Sequence, residues 1–74
     1  MADFGHVINA LLTERGMTQT DLARESGLST SYIAQLVTGL IKNPTLTKAF
    51  AIADALGVSL QEIRDRMENG APAE

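Results

Sequence analysis

The feature that most constrains the fold is a spacing of small and aliphatic residues around Gly27. Ala23 stands four residues before this glycine, and Leu28, Ile33 and Leu36 follow it. Because glycine adopts positive φ without steric cost, Gly27 predicts a tight turn between two short helices. A small residue at position 23 lets the helices cross closely, and the aliphatic side chains fix the angle between them. The spacing therefore predicts two helices of about two turns each, held at a constant angle.

Helical spacing of apolar residues continues on both sides of this pair, and no strand-like alternation occurs. Glycines at positions 16, 27, 39 and 57 are typical helix terminators, and Thr18, Ser29, Thr45 and Ser59 are typical N-caps. Ser59 and Glu62 have the spacing of a capping box. The expected class is all-α, a compact five-helix bundle. The side chains available to its core are Phe4, Val7, Ile8, Leu11, Leu12, Leu22, Ala23, Tyr32, Ile33, Leu36, Val37, Leu46, Phe50, Ile52, Ala53, Leu56, Leu60, Ile63 and Met67.

The chain is expected to form one domain. Its 74 residues are near the lower size at which a single hydrophobic core folds without disulfides or metals. Residues 1–68 are predicted as the folded domain, with the helix pair at about residues 18–38. Residues 69–74 are small and polar enough to predict a flexible C-terminal tail.

Charge is distributed unevenly along the chain. The net charge of −3 argues mildly against a nucleic-acid partner, because affinity for phosphates comes mainly from Lys and Arg. However, the run from Ser26 to Ala53 contains no acidic residue and does contain Lys42 and Lys48. The segment that repels anions least is thus also the one that holds the second helix of the pair.

The composition excludes several classes of function. The chain has no cysteine, so disulfides and thiolate metal sites are excluded, and the single His6 is interpreted as a helix-face residue rather than a ligand or base. No nucleophile and base pair can be assembled, so we expect no catalysis, no cofactor, no metal and no small-molecule ligand. Neither a secretion signal nor about 20 consecutive apolar residues is found, which predicts a cytoplasmic protein without a membrane partner.

The spacings together carry a resemblance to a known family. The stretch "MTQTDLARESGLSTSYIAQLVTG", followed by "NPTLTKAFAIADALGVSLQEI", resembles the helix-turn-helix domains of the Cro and phage-repressor type, the Xre family. The resemblance covers residues 4 to 67 and includes the Thr18-Gln19 opening, Gly27, Pro44 and "AIADALGVSL". It implies a lambda-repressor-like five-helix domain that binds double-stranded operator DNA as a homodimer and regulates transcription, as a repressor does.

The resemblance also implies roles for particular residues, with helix three lying in the major groove. Because Ile33 and Leu36 face inward, the outward side chains are expected to read bases, with Gln35 as the strongest reader of adenine. The alternative for this face is an ordinary solvated surface. The expected base-reading residues are Thr30, Ser31, Ala34 and Gln35. The expected phosphate-binding residues are Gln19, Ser29, Tyr32, Thr38, Lys42 and Asn43. Tyr32 can instead belong half to the core.

The sequence departs from the family pattern after helix three. Many members carry an acidic residue where Val37 stands and basic residues where Leu40, Ile41 and Lys42 stand. Leu40 and Ile41 have three interpretations, namely packing beneath the loop, contact with a protein partner, or contact with thymine methyls and sugars. A protein-interaction module, such as an antirepressor or antitoxin, is therefore the alternative function. The surface expected to contact a partner or a second copy comprises Leu40, Ile41, Ile63 and Met67.

Overall fold

The computed structural model describes residues 3–69 as five helices, with no strand among these residues. In chain order the helices are α1 (Phe4–Arg15), α2 (Gln19–Ser26), α3 (Thr30–Val37), α4 (Leu46–Leu56) and α5 (Leu60–Asn69). The predicted all-α class and five-helix bundle are confirmed. Helix α5 includes Asn69, the first residue of the predicted tail, and the rest of that tail, residues 70–74, lies outside the described residues.

Local chemistry explains where the helices begin. The side chains of Asp3, Thr18, Ser29 and Thr45 each accept a hydrogen bond from the backbone N–H three residues later. The predicted Ser59 cap is present, since Ser59 Oγ accepts from the Glu62 N–H at 3.0 Å. Each bond satisfies an N–H that has no partner within its own helix. The reciprocal bond of the capping box predicted at Ser59 is not formed, and the Glu62 carboxylate instead lies 3.7 Å from Arg66 Nε.

A reciprocal capping box forms at α2. Thr18 Oγ1 accepts from the Asp21 N–H at 3.0 Å, and the Asp21 carboxylate accepts from the Thr18 N–H at 3.1 Å. The hydrogen bond from the Thr18 backbone N–H lowers the pKa of Asp21, the Thr18 side chain lowers it further, and the carboxylate stays charged at the N-terminus of α2. A negative charge at this end of a helix is favoured by the helix dipole.

The core is aliphatic and receives side chains from all five helices. Its fully buried members come from every helix, with Ile8, Leu11, Leu22, Ile33, Leu36, Ile52 and Ile63 the largest. Helices α2 and α3 pack on each other, and α1 and α4 close the two sides of that pair. The closest approach is at Gly5 on α1, where a Cβ atom would lie 2.0 Å from the Leu36 carbonyl oxygen on α3. Helix α1 therefore supports the back of α3 directly.

Two core predictions for α4 are wrong. Leu46 and Phe50 remain 64% and 51% exposed. The buried stripe of α4 is instead formed by Ala49 together with Ile52, Ala53 and Leu56. Phe50 is displaced from this stripe because it is one residue, or about 100° of helix rotation, beyond Ala49.

A surface contact joins the ends of α1 and α5. Arg66 donates from both terminal nitrogens to the Glu14 carboxylate, at 2.8 and 3.0 Å. This hydrogen-bonded pair lowers the pKa of Glu14 and raises that of Arg66. Among residues 3–69, no helix is long and apolar enough to cross a membrane.

Replacing Glu14 with glutamine is expected to lower stability at neutral pH and to matter less in acid. The folded pKa of Glu14 lies below its ordinary value of 4.5, so the Glu14–Arg66 pair stabilises the fold fully above pH 4.5. This stabilisation is lost as the pH falls through the lowered pKa. The melting temperatures of the wild type and Glu14→Gln should therefore differ at pH 7 and converge once the pH is below the lowered pKa of Glu14. Glu25→Gln is the control, because Glu25 is exposed and makes no ion pair among the described residues. A difference in melting temperature between the wild type and Glu14→Gln that persists unchanged in acid would contradict a lowered pKa for Glu14.

Candidate nucleic-acid interface

The turn between α2 and α3 has the geometry that its spacing predicts. Gly27 adopts φ 77°, and the N–H groups of Gly27 and Leu28 both donate to the Ala23 carbonyl, at 3.0 and 3.1 Å. Ala23 is buried, as close crossing of the two helices requires. These bonds hold α3 at one orientation against α2.

Helix α3 divides into an inward and an outward face. Ile33 and Leu36 are fully buried, whereas Thr30, Ser31 and Gln35 are exposed. Ala34 is half-buried at the edge of the outward face. The structure thus brings the four predicted base-reading residues onto one side of α3, with the amide of Gln35 as the only bidentate hydrogen-bonding group among them.

The hydroxyl groups at the two ends of α3 differ in what they can offer to a phosphate, which only accepts hydrogen bonds. Ser29 Oγ accepts from the Tyr32 N–H at 3.0 Å, so its own proton remains available for donation. Thr38 Oγ1 instead donates to the Gln35 carbonyl at 3.2 Å. A phosphate contact by Thr38, as predicted from the sequence, requires this bond to break.

The N-terminus of α2 carries one favourable and one unfavourable group for an anion. Gln19 is the first residue of α2 and is half-buried. The phosphate contact predicted for it would therefore lie at the end of the helix. The charged Asp21 carboxylate occupies the same first turn, and Arg24 lies 3.6 Å from it. A phosphate at Gln19 is therefore close to a negative charge.

The loop after α3 separates the two aliphatic residues. Ile41 packs against the core, and its N–H donates to the Gln35 carbonyl at 3.1 Å. Leu40 points outward and is 74% exposed. Packing beneath the loop is therefore the outcome for Ile41, and the partner and thymine interpretations remain only for Leu40. Lys42 and Asn43 are exposed on the same loop.

The predicted interaction surface on α5 is also reduced. Ile63 is only 1% exposed and cannot contact a partner, because it packs in the core between α5 and the other helices. Met67 is half-buried against that core. Of the four residues predicted for protein contact, only Leu40 is largely exposed.

Tyr32 lies at the edge of α3 and faces α4. Its ring is half-buried against the core, and burial raises the pKa of its hydroxyl, so the phenol remains a neutral donor. The ammonium of Lys48 lies 4.5 Å from the ring centroid, within cation–π distance. Lys48 was not among the predicted site residues, although its position inside the acid-free segment was a signal for it.

The six cationic side chains fall into two groups. Each arginine has an oxygen partner in the protein: Arg15 Nε donates to the Leu56 carbonyl at 2.8 Å, and Arg24, Arg64 and Arg66 form surface pairs with carboxylates. Lys42 and Lys48 form no ion pair with any described residue. Among the described residues, the two lysines are therefore the cations without an oxygen partner in the protein, and both lie in the acid-free segment around α3.

Together, the fixed α2–turn–α3 pair and its polar outward face define a helix-turn-helix protein. A sequence profile described as helix-turn-helix matches residues 8–63, which is most of the chain. The chain belongs to this helix-turn-helix family, of the Cro and phage-repressor type. The resemblance drawn from the sequence is thus confirmed.

Two related sequences and one solved structure illustrate the similarity. An uncharacterised HTH-type transcriptional regulator, y4dJ of Sinorhizobium fredii, is 40% identical over 53 residues, covering 72% of this chain and 68% of the relative. The immunity repressor protein of Bacillus phage phi105 is 39% identical over 59 residues, covering 80% of this chain but only 40% of the repressor. The chain thus spans less than half the length of that repressor.

The solved structure is of SinR, described as the master regulator for biofilm formation, in complex with DNA. It shares 26% sequence identity with this chain at a TM-score of 0.79, and the match covers 84% of this chain and 98% of the chain in that structure. The five-helix arrangement described above is therefore found in a structure that contains DNA.

Proposed function

We propose that this protein is a transcriptional regulator, acting as a repressor, that binds a palindromic operator as a homodimer through α3 in the major groove. The observation that carries the proposal is the exposed polar face of α3, which is flanked by the two lysines that have no intramolecular ion pair. The relatives support it, because one is named a transcriptional regulator and another an immunity repressor. Such a protein acts where the DNA is, in the cytoplasm, and its binding function requires no catalytic step.

In this proposal, the roles are divided by chemistry. Gln35 pairs its amide with an adenine edge, and Thr30, Ser31 and Ala34 contact neighbouring bases. Ser29 and Lys42 donate to phosphates, and Gln19 and Asn43 add contacts at the edges of the site. Because few of these groups are charged, hydrogen bonds carry a larger share of the affinity than in a protein with a basic loop.

Selection from a pool of random duplexes tests this function. A symmetric homodimer should enrich an inverted repeat whose half-sites are about one helical turn apart, roughly 34 Å. The enriched duplex should then bind more tightly than random DNA in a fluorescence anisotropy titration. Failure to enrich any sequence at low salt would overturn the proposal.

A second candidate function is a protein-interaction module. The observation that favours it is Leu40, an aliphatic side chain that is 74% exposed beside α3 and so is available for contact with a partner. In this alternative, α3 supports the loop and the partner is a protein rather than an operator.

Replacing Leu40 with lysine discriminates the two candidates. If the loop borders phosphates, the added cation should tighten DNA binding and steepen its salt dependence by about 0.9 logarithmic units per protomer. Ile41 is left unchanged because it packs against the core. The measurement is anisotropy at several salt concentrations, with Gln61→Lys, an exposed position on α5, as the charge-matched comparison that should leave the slope unchanged. No DNA binding by either the wild type or Leu40→Lys would favour the interaction module.

A further inference from the structure

Lys48 is held in a way that leaves it able to bind an anion. Its ammonium lies 4.5 Å from the centroid of the Tyr32 ring, and none of the described carboxylates is within ion-pair distance of it. A cation–π contact attracts the ammonium electrostatically but satisfies none of its three N–H donors with an oxygen. The ring therefore positions the charge without neutralising it.

We infer that Lys48 and Tyr32 form a phosphate-binding pair at the flank of α3, in which α4 supplies the charge and α3 the hydroxyl. This inference rests on the proposed function and adds to it a residue on α4. The pair would bind a phosphate of the DNA backbone beside the groove that α3 enters.

The position of Tyr32 on α3 is what directs this pair toward DNA. Tyr32 and Gln35 are three residues apart and are therefore neighbours on the helix surface. Gln35 is exposed on the outward face, whereas Tyr32 is half-buried at its edge. A groove in duplex DNA is bordered by its phosphates, so a group at the edge of the reading face is placed against the backbone.

The two side chains contribute different parts of the contact. The Tyr32 hydroxyl is neutral at pH 7, and burial raises its pKa further, so it offers one hydrogen bond without charge. Lys48 offers a full positive charge that releases counterions when it meets a phosphate. The ring also restricts the flexible lysine chain, which reduces the conformational entropy lost when the contact forms.

The pair also adds a positive charge beside a loop in which Lys42 is the one cationic residue. Leu40 and Ile41 add no positive charge to the loop after α3, and each of the four arginines already has an oxygen partner in the protein. Lys48 is therefore one of only two cations, with Lys42, that can supply electrostatic affinity from the acid-free segment.

The salt dependence of DNA binding tests the role of Lys48. Anisotropy titrations with a 20-base-pair duplex of random sequence, and with an enriched duplex, are run at several salt concentrations. Lys48→Gln should flatten the slope of log affinity against log salt by about 0.9 per protomer, and Lys48→Arg should retain it. Arg64→Gln is the matched control, since it removes the same net charge from an exposed pair on α5 and should leave the slope unchanged.

Variants of Tyr32 separate the contribution of its hydroxyl to DNA binding from that of its ring. Tyr32→Phe should weaken binding to both duplexes equally without changing the salt slope, because only a neutral donor is lost. Tyr32→Leu should remove the positioning of Lys48, so that adding Lys48→Gln to it costs less than Lys48→Gln alone. In the free protein, NMR should find the Lys48 side-chain protons shifted by the Tyr32 ring current, and Tyr32→Leu should abolish that shift. This last readout shows the contact directly and does not depend on DNA.

The outcomes distinguish this inference from the function on which it rests. Wild-type protein that binds neither duplex at low salt would overturn the proposed function and the phosphate pair together. Wild-type protein that binds DNA, with an unchanged slope in folded Lys48→Gln, would overturn the phosphate pair alone. A flattened slope in Lys48→Gln but not in Arg64→Gln supports it.

Discussion

Replacing Gly5 with alanine is expected to destabilise the protein by about 1–3 kcal/mol, even though alanine is the better helix former. The added Cβ would lie 2.0 Å from the Leu36 carbonyl oxygen and 3.0 Å from its carbon. Both are backbone atoms, which cannot rotate away as a side chain does. Helices α1 and α3 must therefore separate, and this opens the core beside Leu36.

The change should affect function as well as stability, because Leu36 belongs to α3. Moving α3 relative to α2 alters the angle at which its outward face is presented. Thermal unfolding should show a melting temperature lower by about 4–8 °C for each kcal/mol lost in a domain of this size. Asn9→Ala, at an exposed position on the same helix, is the control and should change stability little. A Gly5→Ala protein as stable as the wild type would contradict the close approach of α1 to α3.

Replacing Gln35 with alanine should cost about 1–3 kcal/mol of binding to the selected operator, or about 5- to 150-fold in affinity. The amide of Gln35 is the one group on the outward face of α3 that can form two hydrogen bonds with a single base. Because Gln35 is exposed and its backbone, not its side chain, accepts the bonds from Thr38 and Ile41, the variant should fold normally.

Specific and non-specific binding must be compared in this experiment. Gln35→Ala should weaken the enriched duplex and leave random DNA nearly unchanged, since phosphate contacts do not depend on sequence. Gln61→Ala on α5 removes the same kind of side chain from an exposed site, where it donates to Asp65, and should change neither. An equal loss on both duplexes would mean that Gln35 does not read a base.

Much of the fold was predictable because helix boundaries are local chemistry. The caps at Thr18, Ser29 and Thr45 and the turn at Gly27 depend on residues within a few positions of each other. Their effects are therefore visible in the order of the amino acids. The division of α3 into inward and outward faces follows from the same short-range periodicity.

The errors occurred where the outcome depends on residues distant in sequence. Phe50 is as apolar as any core residue, and only the packing of α4 against its neighbours shows that Ala49 is buried instead. Gly5 was not singled out, because its importance arises from the backbone of α3, more than 30 positions away. Lys48 was missed as a site residue because the ring that holds it belongs to another helix.

An NMR titration of the backbone amides with the enriched duplex tests the central claim most directly. Binding through α3 predicts that the largest chemical-shift changes fall on residues 29–38 and on Lys42 and Asn43 in the following loop. Amides of α5 should change little, because this helix packs mainly on α1 and α4, away from the proposed interface. Changes concentrated on α5, or absent from α3 while the complex forms, would contradict the assignment of α3 as the helix that reads DNA.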